Sequence, residues 1–379
     1  MQRPKRVGVL TGGGDCPGLN AVVRAVTKGL LRHEVGVVGI EDGFLGLIED
    51  RMRPLERPDV SDILTQGGTI LGTSNRADPV RFHVGEDANG EPIYEDRVDS
   101  CMQHAERAGL DALVVIGGDG TMTCAQPFAQ RGLPIIGIPK TIDNDIHGTD
   151  LTFGFQSAVA VATDALDRLH STAASHHRVM LCEVMGRNAG WIALHAGIAS
   201  GADVLLLPEI PFDIEHVCEV VKRRATRGRR FTIVCVAEGA APVGGEKTVH
   251  RRVLGSPEPV RLGGVASRVA DDIEERTGVS SRFVVLGHVQ RGGTPVAADR
   301  VLATEYGARA VQHLLEGARD RLVALRAGRV EDVPISEPAG RQRLVPLDHP
   351  LVEAARSVYT SFGDRPTSAP QHAGAGDRR

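Results

Sequence analysis

Aromatic side chains make up only 3% of this 379-residue chain, with a single tryptophan. So poor an aromatic supply leaves Val, Leu, Ile and Ala to build the core. Long apolar runs are missing as well: nothing approaches the roughly 20 residues of a membrane span. The basic start, Met1 to Arg6, meets only five apolar or small residues before Gly12, too short for a signal-peptide core. Cytoplasmic location is the resulting expectation. The six cysteines (Cys16, Cys101, Cys124, Cys182, Cys218 and Cys235) have no CxxC spacing. They read as reduced, packed thiols and not as disulfides or metal ligands. A formal net charge of -4 excludes the basic footprint that nucleic acid or an anionic membrane would require. An anionic small molecule would need local arginine clusters instead.

What the chain does have is glycine, 45 residues of it, and a length that suits two α/β domains. Short β-branched runs alternate with helical stretches, the pattern of parallel sheets covered by helices. The strands expected in the first half are RVGVLT, EVGVVGI, DALVVIGG and PIIGIPK, and in the second half RVMLCEV, DVLLLPE, FTIVCVAE and RFVVLGH. Between them Phe155, Val159, Ala162, Leu166 and Leu169 share one helical face. The predicted fold class is therefore α/β, with two Rossmann-like three-layer α/β/α domains and largely parallel sheets. Boundaries fall at residues 1–153 and 154–293, with about 294–325 returning to the first domain. Gly85 to Asp99 reads as an exposed polar excursion, and Gly363 to Arg379, with little to bury, as a disordered tail.

Four motifs could carry chemistry. VGVLTGGGDCPGLNAVV is strand, glycine turn, then a helix expected from about Pro17; its glycines, Gly13 among them, would let backbone amides approach a phosphate. LVVIGGDGTMTCA repeats the arrangement: Gly117 and Gly118 end a strand where open α/β sheets bind ligands. There Asp119 could hold Mg²⁺, while Thr121 could equally be a helix N-cap. GIPKTIDNDIHGTD then places Lys140, Thr141, Asp143 and Asp145 at a third strand end. A surface turn would explain that composition alone; three such ends on one crevice favour a carboxylate site. In the second half, HHRVMLCEVMGRNAGW, VAEGA and SRFVVLGHVQRGGTP set Arg178, Arg187, Arg282 and Arg291 beside Glu238 and His288. Guanidinium matches phosphate bidentately, so the four arginines read as a phosphate cage. His170, His176, His177 and His195 carry no ligand spacing.

Together LTGGGDCPGLNA, GGDGT, PKTIDND, MGRNAG, AEG and LGHVQRGGTP resemble the 6-phosphofructokinase family across about residues 6 to 325. GGDGT alone is shared with NAD and diacylglycerol kinases, and PKTIDND and GHVQRGG separate them. The resemblance implies a glycolytic enzyme that phosphorylates fructose 6-phosphate with ATP and Mg²⁺. It makes residues 1–153 the nucleotide domain and 154–293 the sugar-phosphate domain. It assigns Asp143 as general base, with Thr141, Asp145 and Arg187 assisting. Gly13, Arg76, Gly117, Gly118, Asp119, Gly120 and Thr121 would line the nucleotide, with Asp119 at the metal. Met185, Gly186, Arg187, Glu238, His288 and Arg291 would hold the sugar phosphate. Arg178 and Arg282 would reach in from a neighbouring subunit, implying a homo-oligomer, dimer or tetramer, with shared sites.

Gly120 and Lys140 bear on the donor. Pyrophosphate-using relatives carry an aspartate in place of Gly120, filling the space of the ATP α-phosphate, yet they share the lysine. The combination resembles a mixed branch of the family; the open space at Gly120 favours ATP, with pyrophosphate as the alternative. A non-catalytic nucleotide-sensing protein is the alternative of another class, and the intact Asp119, Thr141, Asp143 and Arg187 speak against it. Arg24 matches an effector-site arginine of bacterial relatives, but Lys28 replaces a second, and allosteric control is not carried over.

Overall fold

A computed structural model describes residues 3–252 and 260–365. The first part of the chain runs β1 (Arg6–Thr11), α1 (Leu19–Arg32), β2 (Gly36–Ile40), α2 (Phe44–Ile48), β3 (Met52–Pro54), β4 (Phe82–Glu86), β5 (Pro92–Glu95) and α3 (Val98–Arg107). It continues with β6 (Ala112–Gly117), α4 (Asp119–Gln130), β7 (Ile135–Thr141), β8 (Phe153–Gly154) and α5 (Phe155–His176). Then come β9 (Val179–Val184), α6 (Trp191–Ala199), β10 (Val204–Leu206), α7 (Ile214–Thr226), β11 (Thr232–Ala237), β12 (Val249–Arg252), β13 (Val260–Leu262) and α8 (Val265–Thr277). The chain closes with β14 (Ser281–Val285), α9 (Ala297–Leu315), β15 (Arg321–Arg326), β16 (Arg329–Pro334) and α10 (Pro350–Ser357).

Two main sheets result, and both are mainly parallel. The larger orders its strands β16-β15-β7-β6-β1-β2-β3, with β8 paired to β7. Its centre, from β15 to β2, is parallel, while β3 and β16 join antiparallel at the edges. The smaller sheet, β10-β11-β9-β14, is parallel throughout. Strands β6, β9 and β11 are buried along their whole length. Helices cover both faces of such strands, which is why they read as nearly continuous apolar runs without alternation.

Helix α5 links the sheets. Phe155, Ala162 and Leu166 are fully buried on its inner face, and Val159 and Leu169 pack beside them. None of the six cysteines is in a disulfide, and burial pushes the Cys16 pKa up to about 12.

Three expectations need correction. Helix α1 starts at Leu19 and not at Pro17, because Gly18 takes a left-handed φ of 107° immediately before it. The tail does not begin at Gly363. The Gly363 carbonyl accepts from Asp213 N at 2.8 Å, Asp364 pairs with Arg356, and Arg365 bonds Asp213 and Glu219. Residues 366–379 lie outside those described. The polar excursion contains a hairpin, β4–β5, and α3 already begins at Val98.

Helix α9 packs along α1 through glycine. A Cβ at Gly307 would lie 2.7 Å from Ala25 Cβ and 3.2 Å from Val22 O. Since α1 follows the first glycine turn, this contact backs the turn itself. Gly307→Val is expected to destabilise the fold by about 1–3 kcal/mol or more through overpacking, measured by denaturant titration; an unchanged midpoint would show that the helices can part freely.

Candidate active site

Two glycine-rich turns follow β1 and β6 and an aspartate-rich one follows β7, all at the carboxyl ends of neighbouring parallel strands. Gly12 N donates to Ile116 O at 2.9 Å, tying the first turn to the end of β6. Thr121 lies between the turns: a Cβ at Gly12 would sit 2.6 Å from its methyl group, and one at Gly117 2.3 Å from its Cβ. Thr121 is therefore not the helix N-cap that its position suggested. Gly118 occupies that place with extended backbone and no side-chain cap, leaving the amide end of α4 open toward the crevice. Gly120 follows on the first turn of α4, where a Cβ would meet nothing within 4 Å.

Loop 73–76 docks on the first glycine turn. Thr73 Oγ1 donates to Gly13 O at 2.6 Å, and Gly13 N donates to Ser74 O at 3.2 Å. This brings the exposed Arg76 to the crevice rim. Lys140 is buried at 3% exposure, and its Nζ donates to the Gly14 carbonyl. Burial pulls its pKa down. From the second half, Arg291 Nη1 donates to Asp15 O at 3.0 Å, so this guanidinium lies against the same turn.

Past Lys140 the backbone reverses through Thr141–Asn144. Asp143 N donates to Thr141 Oγ1 at 3.1 Å, and Asn144 adopts φ 52°. The Asn144 side chain accepts from Thr152 N at 2.9 Å, which braces the turn from within. Burial pushes the Asp145 pKa up, and the charges of Asp143 and Asp119 push it further. Three carboxylates thus share one poorly solvated region.

On the second sheet, Met185, Gly186 and Arg187 follow β9, Glu238 follows β11, and His288 and Arg291 lie in a short turn after β14. Gly186 has φ 138°, and Gly239 N donates to its carbonyl at 3.1 Å. Burial, then the charges of Asp143 and Glu183, lift the Glu238 pKa to about 7. Glu238 is thus within electrostatic reach of the carboxylate loop on the other sheet.

The four arginines do not form one cage within a chain. Arg178 precedes β9 and Arg282 stands near the start of β14, whereas Arg187 and Arg291 lie past the opposite ends of those parallel strands. A strand of six residues puts roughly 20 Å between its ends. Arg282 instead bonds Ser281 O and Glu274, and Arg178 Nε is buried without a hydrogen-bond partner among the described residues.

Some residues at the site were not foreseen from sequence. Lys247 donates to Arg187 O at 2.7 Å and Asn188 Oδ1 at 2.9 Å. The fully buried Gln290 accepts from Met185 N at 3.4 Å. Glu183, 1% exposed, accepts from Gly264 N and Ala266 N and so closes the start of α8. Gln290 sits inside the already conspicuous GHVQRGG run. Lys247 and Glu183 gave no signal beyond their residue type.

Residues 6–314 match the family described as Phosphofructokinase. The chain belongs to the phosphofructokinase family. Among relatives of this phosphofructokinase, "ATP-dependent 6-phosphofructokinase 2" of Clostridium perfringens is 49% identical over 96% of this chain and 100% of its own length. A Pichia pastoris phosphofructokinase crystallised in the T-state is 33% identical with a TM-score of 0.75, covering 89% of this chain and 36% of that one. A pyrophosphate-dependent phosphofructokinase from Marinobacter aquaeolei shares the fold, with a TM-score of 0.77 at 20% identity over 97% of this chain and 94% of that one.

Glu238 makes the site pH-dependent in stability. Its pKa rises on folding from 4.5 to about 7, so ionisation opposes the fold. The penalty is absent below the lower value, grows between the two, and is complete above the higher. Glu238→Gln should therefore melt higher than the parent by a margin that widens from about pH 5.5 to about pH 8.5. A margin that narrows with rising pH would contradict a burial-raised carboxyl.

Proposed function

We propose that this phosphofructokinase transfers the terminal phosphoryl group of ATP to the 1-hydroxyl of fructose 6-phosphate, giving fructose 1,6-bisphosphate and ADP. The observation that carries the reading is the meeting of Asp119, Asp143 and Asp145 where two glycine turns and the amide end of α4 open. Such a place binds phosphate through backbone N–H groups and holds a base beside it. The full-length relative named as ATP-dependent supports it.

In this reading Asp143 takes the proton of the sugar hydroxyl as its oxygen bonds phosphorus, and the donor's bridging oxygen leaves with ADP. Thr141 and the turn amides hold the transferring group, and Arg187 offsets its charge. Glu238, Met185 and Gly186 orient the sugar, with His288 and Arg291 at its 6-phosphate. Little covalent chemistry is asked of the protein; positioning and charge stabilisation supply the rate.

The carboxylates also fit Mg²⁺. Burial first, and then the charges of Asp143 and Asp119, raise the Asp145 pKa, and a divalent cation would offset both. Among the described residues no group of three or more His, Cys, Asp or Glu forms a ready-made metal site. That suits an ion held by one or two carboxylates, phosphate oxygens and water. Asp119, with Asp145 behind it, would hold it, and when bound it neutralises phosphate charge.

ATP is favoured over pyrophosphate by Gly120. Among the described residues nothing lies within 4 Å of where a Cβ would sit, and glycine costs a helix about 1 kcal/mol relative to alanine. Room for a ligand explains the choice. Lys140 supports pyrophosphate as the second reading, but its ammonium is already engaged by Gly14 O.

A homo-oligomer with shared sites is part of the same reading. Arg178 and Arg282 stand at the wrong ends of their strands to serve their own site. Around Arg282, Phe283, Val285 and Val289 are 46%, 51% and 61% exposed on an edge strand and the turn after it. A second copy covering that edge would bury the apolar side chains and receive the arginines. Among the described residues no helix is long and apolar enough to cross a membrane, and the reduced thiols suit the cytoplasm.

Purified enzyme with Mg²⁺ and fructose 6-phosphate should turn over with ATP and not with pyrophosphate; the reverse result would overturn the donor. Asp143→Asn should lose at least about a hundredfold in turnover with little change in sugar binding. Retained turnover would remove Asp143 from the chemistry. Light scattering that shows only monomer in active enzyme would end the shared-site reading.

A further inference from the structure

The segment between β16 and α10 carries none of the motifs described above, yet it crosses behind both halves of the site. Gln342 forms an antiparallel bridge with Ile146. Next to it, Arg343 N donates to Asp145 O at 2.7 Å. The Arg343 guanidinium donates to Asn144 O at 3.2 Å, on the residue whose left-handed φ turns the chain just after Asp143. Two bonds from one residue therefore hold the backbone on which the proposed base is mounted.

The same arginine also holds the other half. Trp191 Nε1 donates to Arg343 O at 2.8 Å, and the Arg343 guanidinium lies over the indole with its carbon 4.1 Å from the ring centroid. Trp191 opens α6 directly after the MGRNAG loop that carries Met185, Gly186 and Arg187. A second tie runs beside it. Glu209 accepts from Gly190 N at 3.0 Å and from Val345 N at 2.8 Å, so the sugar loop and the crossing segment are clamped through one carboxylate.

We propose that Arg343 is a positioning residue for phosphoryl transfer: it fixes the loop bearing Asp143 against the loop bearing Arg187 through Trp191. Without the guanidinium the backbone bonds of residue 343 to Asp145 O and Trp191 Nε1 remain, and each loop keeps its own strand, so the substrates still bind. What is lost is the relative placement of the base and the arginine. Displacements of the order of an ångström at a reacting centre cost far more in rate than in binding. Stacking and a bond to a carbonyl both need a planar guanidinium, which is why arginine serves here.

Trp191 is the only tryptophan in the chain and is 2% exposed, so the emission reports on the surroundings of this one indole, Arg343 among them. In Arg343→Ala the emission should shift to the red as water reaches the indole, which verifies that the contact is broken. In that variant kcat with ATP should fall roughly tenfold or more, while the KM for fructose 6-phosphate moves less than about threefold and the melting temperature stays near the parent's. A red-shifted variant with kcat within about twofold of the parent would overturn the proposal, as would a loss confined to KM.

Should Arg343→Ala fail to fold, Trp191→Phe removes the bond to the Arg343 carbonyl, together with part of the buried ring, and keeps an aromatic ring under the guanidinium. Its kcat is expected to fall about threefold or more at unchanged sugar KM, and an unchanged kcat would overturn the proposal. The proposal rests on Asp143 as the base, so Asp143→Asn is assayed alongside. If Asp143→Asn is inactive while Arg343→Ala is fully active, only the positioning role fails; if Asp143→Asn is active, the base assignment fails first.

Discussion

Close approach of backbone without intervening Cβ atoms is the constraint on which the site depends. Thr121 occupies the volume that side chains at Gly12 and Gly117 would claim, and that contact holds the two glycine turns side by side. Parallel strands supply the rest. Because β1, β6 and β7 point the same way, their terminal turns converge at one edge of the sheet, and the amides there face a common volume. The glycines serve proximity first and flexibility second.

Charge is the second constraint, and it is arranged to be completed by ligands. Asp119, Asp143 and Asp145 crowd one another, and Glu238 feels Asp143 from across the crevice. Against them stand Lys140 and Arg291, each bound to a carbonyl of the first glycine turn. These two cations therefore brace the first glycine turn; in the reading proposed above, such an arrangement is preorganised for the charge that substrates bring.

The sequence made the strand ends legible because each is an apolar run halted by glycine or by a polar cluster, and periodicity located α5. The cap at Gly118 was misjudged because a threonine near a helix start looks the same whether it caps or packs. The arginines were harder. Residue type marks Arg178 and Arg282 as phosphate ligands, but only the strand direction shows that they stand at the far end of the sheet from Arg187 and Arg291. Least visible were Arg343, Glu209 and Lys247. Each acts on backbone atoms far away in the chain, and a bond to a carbonyl leaves no pattern in either partner's sequence.

Gly120 lies in open space, so the fold sets no steric bar to a side chain there. In the reading proposed above, preference for one energy currency over another would then rest on the side chain at this single position and not on the scaffold around it.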